Sequence, residues 1–228
     1  LWLLIVRPGS AVGIFSKTED EAIDLLNFRL KGMYQRLPAW MQARETLEDN
    51  KSRWVLSNGS LVMAFPTTGG RSYTFGFVLV DEADFQPDLS TLITATKPTI
   101  DAGGQMVLLS TVDKSRPASR FKQIYRGAKQ KINDWLPVFL PWWARPGRNA
   151  EWYAAQRRDA LVTGSLDDVH QEYPATDTEA LAPRTLDKRL SGEWLEQCYV
   201  EIEANSLPPY TGPGAPPDEA LQKPGRTM

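Results

Sequence analysis

The sequence predicts an α/β fold in which helices flank a parallel β-sheet. Two observations carry this prediction. Nearly continuous apolar runs occur at residues 75–80 and 106–109, the pattern of parallel strands that are covered on both faces. The stretches between successive strands are long enough for a crossover helix, which parallel neighbours in one sheet require. The chain has 228 residues, enough to bury one substantial core.

The first predicted elements are a strand followed by a helix. The strand is the apolar run at residues 11–16. Thr18 and Glu21 then have the spacing of a capping box, which marks the start of a helix. Apolar residues recur at helical spacing as far as Leu30, and Pro38 ends the segment.

A β-hairpin is predicted next, with its turn at Asn58-Gly59. This pair lies between apolar runs at residues 54–56 and 60–65, and Asn-Gly favours the tight turn that joins two antiparallel strands. The run at residues 75–80 is too continuous for a half-exposed strand. We therefore expect a buried parallel strand there.

A second buried strand is predicted at residues 106–109, after the turn signal Gly103-Gly104. Beyond Asp113 the chain is expected to be helical and rich in aromatic residues. From Leu207 onward Pro, Gly and polar residues dominate, which predicts a linker or a frayed end.

Composition excludes several classes of protein. With 42% hydrophobic and 24% charged residues and a net charge of −2, the chain is neither disordered throughout nor a polycation. The single cysteine, Cys198, excludes an internal disulfide, and the single histidine, His170, argues against a zinc site. The apolar run at residues 1–6 is too short to span a membrane. The single cysteine fits a reducing compartment, so we expect a cytosolic protein. Because the first residue is Leu1, we expect that protein to be truncated at its start.

An acidic pair follows the first buried strand directly. Residues 77–80 lead into Asp81-Glu82, and open α/β sheets bind ligands at the carboxyl ends of their strands. Nucleotide hydrolysis needs one acid to hold Mg²⁺, generally through a water, and another to orient or deprotonate the attacking water. Adjacent strand residues point to opposite sides, so neighbours can serve both roles. We assign Asp81 to Mg²⁺ and Glu82 to water; the alternative is an acidic turn after a core strand.

Hydroxyl residues end the next predicted strand. Ser110-Thr111 follow the run at residues 106–109, where they can hydrogen-bond the catalytic carboxylate or the γ-phosphate. A strand ending in Asp-Glu beside a strand ending in Ser-Thr is the arrangement of helicases and translocases. A plain junction between strand and loop is the alternative for Ser110-Thr111.

Several segments in order resemble the ATPase domain of tailed-phage terminase large subunits. They include Val78-Leu-Val-Asp-Glu-Ala83, which is similar to the Walker B element of that family, and Gly104-Gln-Met-Val-Leu-Leu-Ser-Thr111, which is similar to its coupling motif. The resemblance spans roughly residues 10–185. The other matching segments are residues 14–22, 33–40, 58–60, 70–72, 171–174 and 179–180.

The resemblance implies a P-loop NTPase-type fold and an ATP-driven motor, dependent on Mg²⁺, that translocates double-stranded DNA into a procapsid. It implies a homo-oligomeric ring on the portal protein, DNA delivery by a small terminase subunit, and location in the host cytoplasm of a phage- or prophage-encoded protein. Residues 1–185 would be the motor domain without its N-terminal phosphate-binding loop. Residues 186–228 would be a helical and Pro/Gly-rich linker towards an absent nuclease domain.

The resemblance also implies roles for basic residues. Arg71 lies in the loop before the Walker B strand, where some relatives place an arginine finger that stabilises charge on the transferred phosphoryl group. Arg29, Lys31 and Arg36 are candidates for the lining of the DNA channel, since phosphate contacts need only positive charge on one face. The alternative for Arg71 is a solvated loop arginine. The alternative for the other three residues is a solvent-exposed helix face.

The main departure from the family is the phosphate-binding loop. No Gly-x-x-x-x-Gly-Lys-[Ser/Thr] occurs in the sequence. The nearest string, at residues 11–18, has Ser16 in place of the second glycine, and glycine is needed there for backbone N–H groups to turn inward. We therefore expect the loop to lie upstream, and this chain alone to hydrolyse ATP poorly or not at all.

Two other interpretations remain open at this stage. Asp81-Glu-Ala-Asp84 spells the signature of DEAD-box RNA helicases, but those proteins carry Ser-Ala-Thr where this chain has Ser110-Thr-Val112. The surroundings of His170 also do not fit their histidine-rich motif. The third interpretation is a degenerate, non-enzymatic ATPase-like scaffold, in which the clustered tryptophans form an interface.

Overall fold

The computed structural model describes residues 1–42, 45–65, 73–101 and 103–184. Within this part of the chain, Leu1–Pro183 forms one compact unit. The predicted linker at residues 186–228 lies outside the described residues.

A mixed β-sheet of six strands forms the centre of this unit. The strands are β1 Ala11–Phe15, β2 Thr46–Asp49, β3 Arg53–Leu56, β4 Leu61–Phe65, β5 Phe77–Val80 and β6 Gln105–Leu108. Their order in the sheet is β2-β3-β4-β1-β5-β6. The four strands from β4 to β6 in that order pair in parallel, whereas β2 and β3 join through antiparallel pairings. The α/β class is confirmed, and the sheet is mixed because the hairpin belongs to it.

Helices cover the sheet and provide its crossovers. They are α1 Trp2–Val6, α2 Glu19–Asp24, α3 Lys31–Gln35, α4 Leu89–Ile100, α5 Arg120–Lys129, α6 Ala150–Thr163, α7 Leu166–Glu172 and α8 Asp177–Leu181. A π-helical segment, Leu25–Leu30, joins α2 to α3, and α4 is the crossover between the parallel strands β5 and β6. No helix among the described residues is both long and apolar enough to span a bilayer.

Two local predictions are confirmed at the start of the chain. The Thr18 hydroxyl accepts a hydrogen bond from the Glu21 backbone N–H (3.3 Å), which caps α2 after β1. In the hairpin between β3 and β4, Gly59 has a φ of +80°, a conformation that side chains with a Cβ rarely adopt. The Asn58 side-chain oxygen accepts the Ser60 backbone N–H (3.0 Å) and closes the turn.

Hydrophobic clusters cover both faces of the sheet. Successive side chains of a strand point to opposite faces, and Ile14 and Phe15 of β1 accordingly belong to different clusters. The first cluster includes Leu26, which is fully buried below the helices that follow β1. The second includes Val80 and Leu92 of the β5–α4 unit. Packed side chains therefore cover both faces of the central strands, as their apolar runs predict.

The strand β6 is less buried than its sequence predicts. Val107 in β6 is 39% exposed and Leu109, which follows it, is 41% exposed. Among the described residues, no strand pairs with the outer edge of β6. The prediction that both faces of β6 are covered is therefore wrong in this chain. Cover depends on the elements that pack beside the strand, and the apolar run does not specify them.

Candidate active site

The carboxyl ends of β1, β5 and β6 lie together at one edge of the sheet, since the three strands are parallel neighbours. Backbone hydrogen bonds continue this register past the strand ends. The Asp81 N–H donates to the Phe15 carbonyl (2.8 Å), and the Ala83 N–H donates to the Leu109 carbonyl (3.0 Å). The acidic pair and Ser110 are thereby brought to one place, as the sequence predicts.

The Ser110 hydroxyl connects the two strand ends. It accepts a hydrogen bond from the Asp84 backbone N–H (3.1 Å) and donates one to the Glu82 carboxylate (3.4 Å). Because a serine hydroxyl has a single proton, acceptance from Asp84 directs that proton towards Glu82. Thr111 lines a cavity beside this contact.

Glu82 has an unusual backbone conformation. Its φ of 47° and ψ of 45° lie in the left-handed helical region, which costs a residue with a Cβ about 1–2 kcal/mol. A short 3₁₀ turn at Ala83–Phe85 follows directly. Strained conformations of this kind persist where surrounding contacts determine them, and they concentrate at functional sites.

Burial and mutual proximity perturb the acidic pair. Partial burial raises the pKa of Asp81, and the Glu21 carboxylate raises it further, against the lowering effects of the Glu82 backbone N–H and the Lys17 ammonium. Partial burial also raises the pKa of Glu82, as does the charge of Asp81, whereas the Ser110 hydroxyl lowers it. A carboxyl group with a raised pKa is a stronger base, the property that activation of a water requires.

Three residues near the acidic pair were not predicted from the sequence. Lys17 and Glu21 form an ion pair after β1 (3.2 Å), and the Lys17 charge lowers the pKa of both Asp81 and Glu82. From α7, the Glu172 charge raises the pKa of Glu82. The signal for Lys17 is its place just after the strand that pairs in parallel with β5.

The raised pKa of Asp81 has a consequence for stability. Above the folded-state pKa the ionised carboxylate opposes folding, and below the unfolded-state pKa it is protonated in both states and has no effect. We expect Asp81→Asn to increase the free energy of unfolding at pH 7, by less than about 1 kcal/mol because solvent screens this partly exposed group. In urea denaturation the gain should vanish below about pH 3.

Asp88 offers a control of opposite sign. Its side chain caps α4, and hydrogen bonds from Thr91 lower the pKa of this carboxyl. A carboxyl group with a lowered pKa stabilises the fold at any pH above its unfolded-state pKa. This stabilisation is lost as the pH falls through the folded-state pKa. Asp88→Asn should therefore reduce the free energy of unfolding at pH 7. If Asp81→Asn and Asp88→Asn changed this free energy in the same direction, the assigned electrostatics would be contradicted.

The structure separates the predicted basic residues. Arg71 lies outside the described residues. Arg29 and Arg36 are exposed, as a DNA-facing role requires. Lys31 is only 8% exposed, and its ammonium group donates to the Asn27 side chain (2.7 Å) and to Asp49. This corrects the expectation for Lys31, because a buried and paired ammonium group does not line a solvent channel.

The residues at this edge fit Mg²⁺ that arrives with a nucleotide. Among the described residues, no group of three acidic, histidine or cysteine side chains is arranged to hold a metal ion directly. Mg²⁺ characteristically keeps several waters and is held by one or two carboxylates plus substrate phosphates. Asp81, at the end of β5, can contribute such a carboxylate through a water.

A cavity of about 430 Å³ adjoins the outer side of β6. We call it the edge groove, and define it by the residues that line it, which are 107–112, 121, 125, 138–140, 171, 172, 174, 177, 180 and 181. Most of its lining is apolar, and Ser110 and Thr111 lie among its residues, as does Glu172. Apolar surface thus lies next to the outer edge of β6, beside Ser110, whose hydroxyl contacts Glu82.

Comparison with known proteins places the fold. No protein-family model and no curated protein matches the sequence. The ATPase domain of the Thermus phage P74-26 large terminase is similar with a TM-score of 0.56 and 21% identity, over 76% of this chain and 79% of that one. The large terminase of bacteriophage HK97 gives a TM-score of 0.54 and 14% identity, over 76% of this chain and 41% of that one.

A third similar structure contains a nucleotide analogue. It is the large terminase of a thermophilic bacteriophage in complex with ATP-gamma-S, with a TM-score of 0.52 and 13% identity over 69% of this chain and 38% of that one. The chain therefore has the α/β fold of phage large terminase ATPase domains, which confirms the resemblance at the level of the fold. It spans about two fifths of the HK97 chain and of the chain with ATP-gamma-S.

Proposed function

We propose that this chain is the catalytic part of an ATP-driven motor that packages double-stranded phage DNA, as a terminase large subunit does. The observation that carries the proposal is the hydrogen bond between Ser110 and Glu82 across neighbouring parallel strands (3.4 Å), with Asp81 beside it. A carboxylate oriented from the next strand end is suited to position a water for attack on a γ-phosphate. The shared fold with large terminase ATPase domains supports the same function.

In this proposal the two acids have separate roles. Glu82 accepts a proton from the attacking water or orients it, and its raised pKa strengthens it as a base. Asp81 would hold Mg²⁺ through a water, and the ion would neutralise charge on the phosphates when bound. Ser110 fixes the direction of the Glu82 carboxylate. Thr111 would hydrogen-bond the γ-phosphate and so couple its presence to the segment after β6.

We further propose that an upstream strand and its phosphate-binding loop complete the site through the edge groove. Among the described residues no strand pairs with the outer edge of β6, and β-augmentation uses such an edge. A strand parallel to β6 would end beside Ser110 and Thr111. The loop after it would then present backbone N–H groups to phosphates opposite Glu82.

The remaining assignments follow the terminase resemblance. Arg71 would act as an arginine finger, within its own subunit or on a neighbour, and Arg29 with Arg36 would contact DNA phosphates. The partners would be double-stranded DNA, a portal protein and a small terminase subunit, with copies of the chain forming a ring in the host cytoplasm. A nuclease domain would belong to the same protein.

The proposal is tested by ATP hydrolysis in a longer protein, extended upstream to include a phosphate-binding loop. We expect Mg²⁺-dependent turnover that linear double-stranded DNA stimulates severalfold and that single-stranded RNA does not, together with binding to the portal protein. Steady-state phosphate release measures the first effect. Unwinding stimulated by RNA would instead favour the helicase interpretation, and absence of turnover with any nucleic acid would favour the scaffold.

A further inference from the structure

A buried ion pair lies next to the acidic pair in the chain and joins the turn after β5 to α5. The Lys122 ammonium group of α5 contacts the Asp84 carboxylate at 3.0 Å, and the two side chains are 1% and 0% exposed. Removing two charges from water is costly, so a buried pair contributes little to stability compared with an apolar packing of the same volume. Because Asp84 lies only two residues after Glu82, we expect a role of this ion pair in the acidic site and not in stability.

The Asp84 carboxylate joins the turn after β5 to the segment after β6. One oxygen accepts the Asp113 backbone N–H (2.6 Å) as well as the ammonium group, and the other accepts the Ser119 hydroxyl. Lys122 also donates to the backbone carbonyl groups of Asp113 and Arg116. The pair and its partners thus hold residues 113–119 against the 3₁₀ turn.

The backbone of Asp84 continues this connection to the catalytic carboxylate. Its N–H donates to the Ser110 hydroxyl (3.1 Å), which donates to Glu82 (3.4 Å). Its carbonyl accepts from the Arg116 guanidinium group (2.9 Å). Both polar groups of the Asp84 backbone are therefore held, close to Glu82 with its strained left-handed conformation.

We infer that Asp84, Lys122 and Ser119 form a positioning clamp for Glu82. The clamp fixes the Asp84 N–H, which orients the Ser110 hydroxyl, which in turn directs the Glu82 carboxylate. The clamp acts on Glu82 through Ser110, and α5 carries Lys122 while Ser119 caps that helix. The inference rests on the proposed function for its effect on turnover. The structural link between the clamp and the Glu82 turn stands independently of ATP hydrolysis.

Hydrogen exchange in the 228-residue chain tests the structural link. In Ser119→Ala and Lys122→Met, we expect the amides of Ala83 and Asp84 to exchange about tenfold faster or more, with no change at Ile14 in β1. A clamp that only stabilises the fold would accelerate exchange at all three amides together, and this outcome would overturn the inference. Ser119→Ala alone decides the matter if Lys122→Met fails to fold.

Two control variants define the specificity of this effect. Lys129→Met removes an ion pair with Asp177 (2.7 Å) at the other end of the same helix and should leave the Ala83 and Asp84 amides unchanged. Leu26→Ala destabilises the cluster on the other face of the sheet and should raise exchange globally. Local acceleration in Lys129→Met would show that any change in α5 disturbs the turn, which would contradict the clamp.

Turnover in the longer protein tests the consequence for the reaction. Ser119→Ala should lower kcat by roughly 10- to 100-fold, the effect of a small misplacement of a reacting group, with KM for ATP unchanged. Because the clamp acts through Ser110, adding Ser119→Ala to Ser110→Ala should lower kcat no further. Additive losses would overturn the inference. Absence of turnover in the wild-type protein would refute the proposed function instead, and the exchange experiment would still decide the clamp.

Discussion

Replacing Glu82 by glutamine is expected to lower ATP turnover by about 10²- to 10⁴-fold, the contribution of a positioned general base. Glutamine keeps the side-chain oxygen that accepts the Ser110 hydroxyl, so the strand ends should stay connected. It loses the ability to take a proton from water. Binding of ATP should remain within about twofold of the wild-type Kd, since the change affects the transition state rather than the ground state.

Magnesium titration separates the two acids. Asp81→Asn should weaken the apparent affinity for Mg²⁺, so that excess Mg²⁺ partly restores turnover. No concentration of Mg²⁺ should restore Glu82→Gln. Asp20→Asn, at an exposed position of α2, is the control and should behave as wild type. Wild-type turnover in Glu82→Gln would refute the role of Glu82, and identical responses of both variants to Mg²⁺ would refute the division of roles.

The pH profile gives the same assignment from another direction. The carboxyl of Glu82 must be ionised to act as a base, and burial together with the Asp81 charge raises its pKa. Turnover should therefore fall as the pH decreases through this raised value. The residual activity of Glu82→Gln should lack that acidic limb, as steady-state kcat measured across the pH range would show.

The central strands and the acidic pair could be predicted because their signals are local. The apolar run of β5 requires cover on both faces, and this requirement places Asp81 and Glu82 at the carboxyl edge of the sheet. The Asn58-Gly59 turn likewise depends on the backbone freedom of one residue. In these cases the residues that carry the signal also form the feature.

Other features depend on neighbours that are distant in sequence. Lys17 approaches Asp81 because β1 and β5 pair in parallel, and Lys31 is buried because Asp49 lies against it. The left-handed conformation of Glu82 has no signal in its residue type, since glutamate rarely adopts it. The exposure of Val107 and Leu109 depends on which elements pack beside β6. Contacts across the fold decide these features, and sequence periodicity does not report them.

The second large effect concerns the edge groove, where we expect one substitution to be nearly neutral at one chain length and strongly destabilising at another. In the 228-residue chain Val107 is 39% exposed, so Val107→Glu should change the free energy of unfolding by less than about 0.5 kcal/mol. In a longer protein whose upstream strand occupies the groove, the same carboxylate would be buried without a partner. We expect a loss of about 3–5 kcal/mol there, and loss of ATP turnover, because the phosphate-binding loop would no longer reach Glu82.

Val162→Glu is the matched control, because Val162 on α6 is 87% exposed and is not among the residues that line the groove. It should be neutral at both chain lengths. Urea denaturation and phosphate release measured on the four proteins decide the outcome. Equal, small effects of Val107→Glu at both lengths would mean that no strand enters the groove. Strong Mg²⁺-dependent turnover by the 228-residue chain alone would place the phosphate-binding groups within it, and an upstream strand would then be unnecessary for hydrolysis.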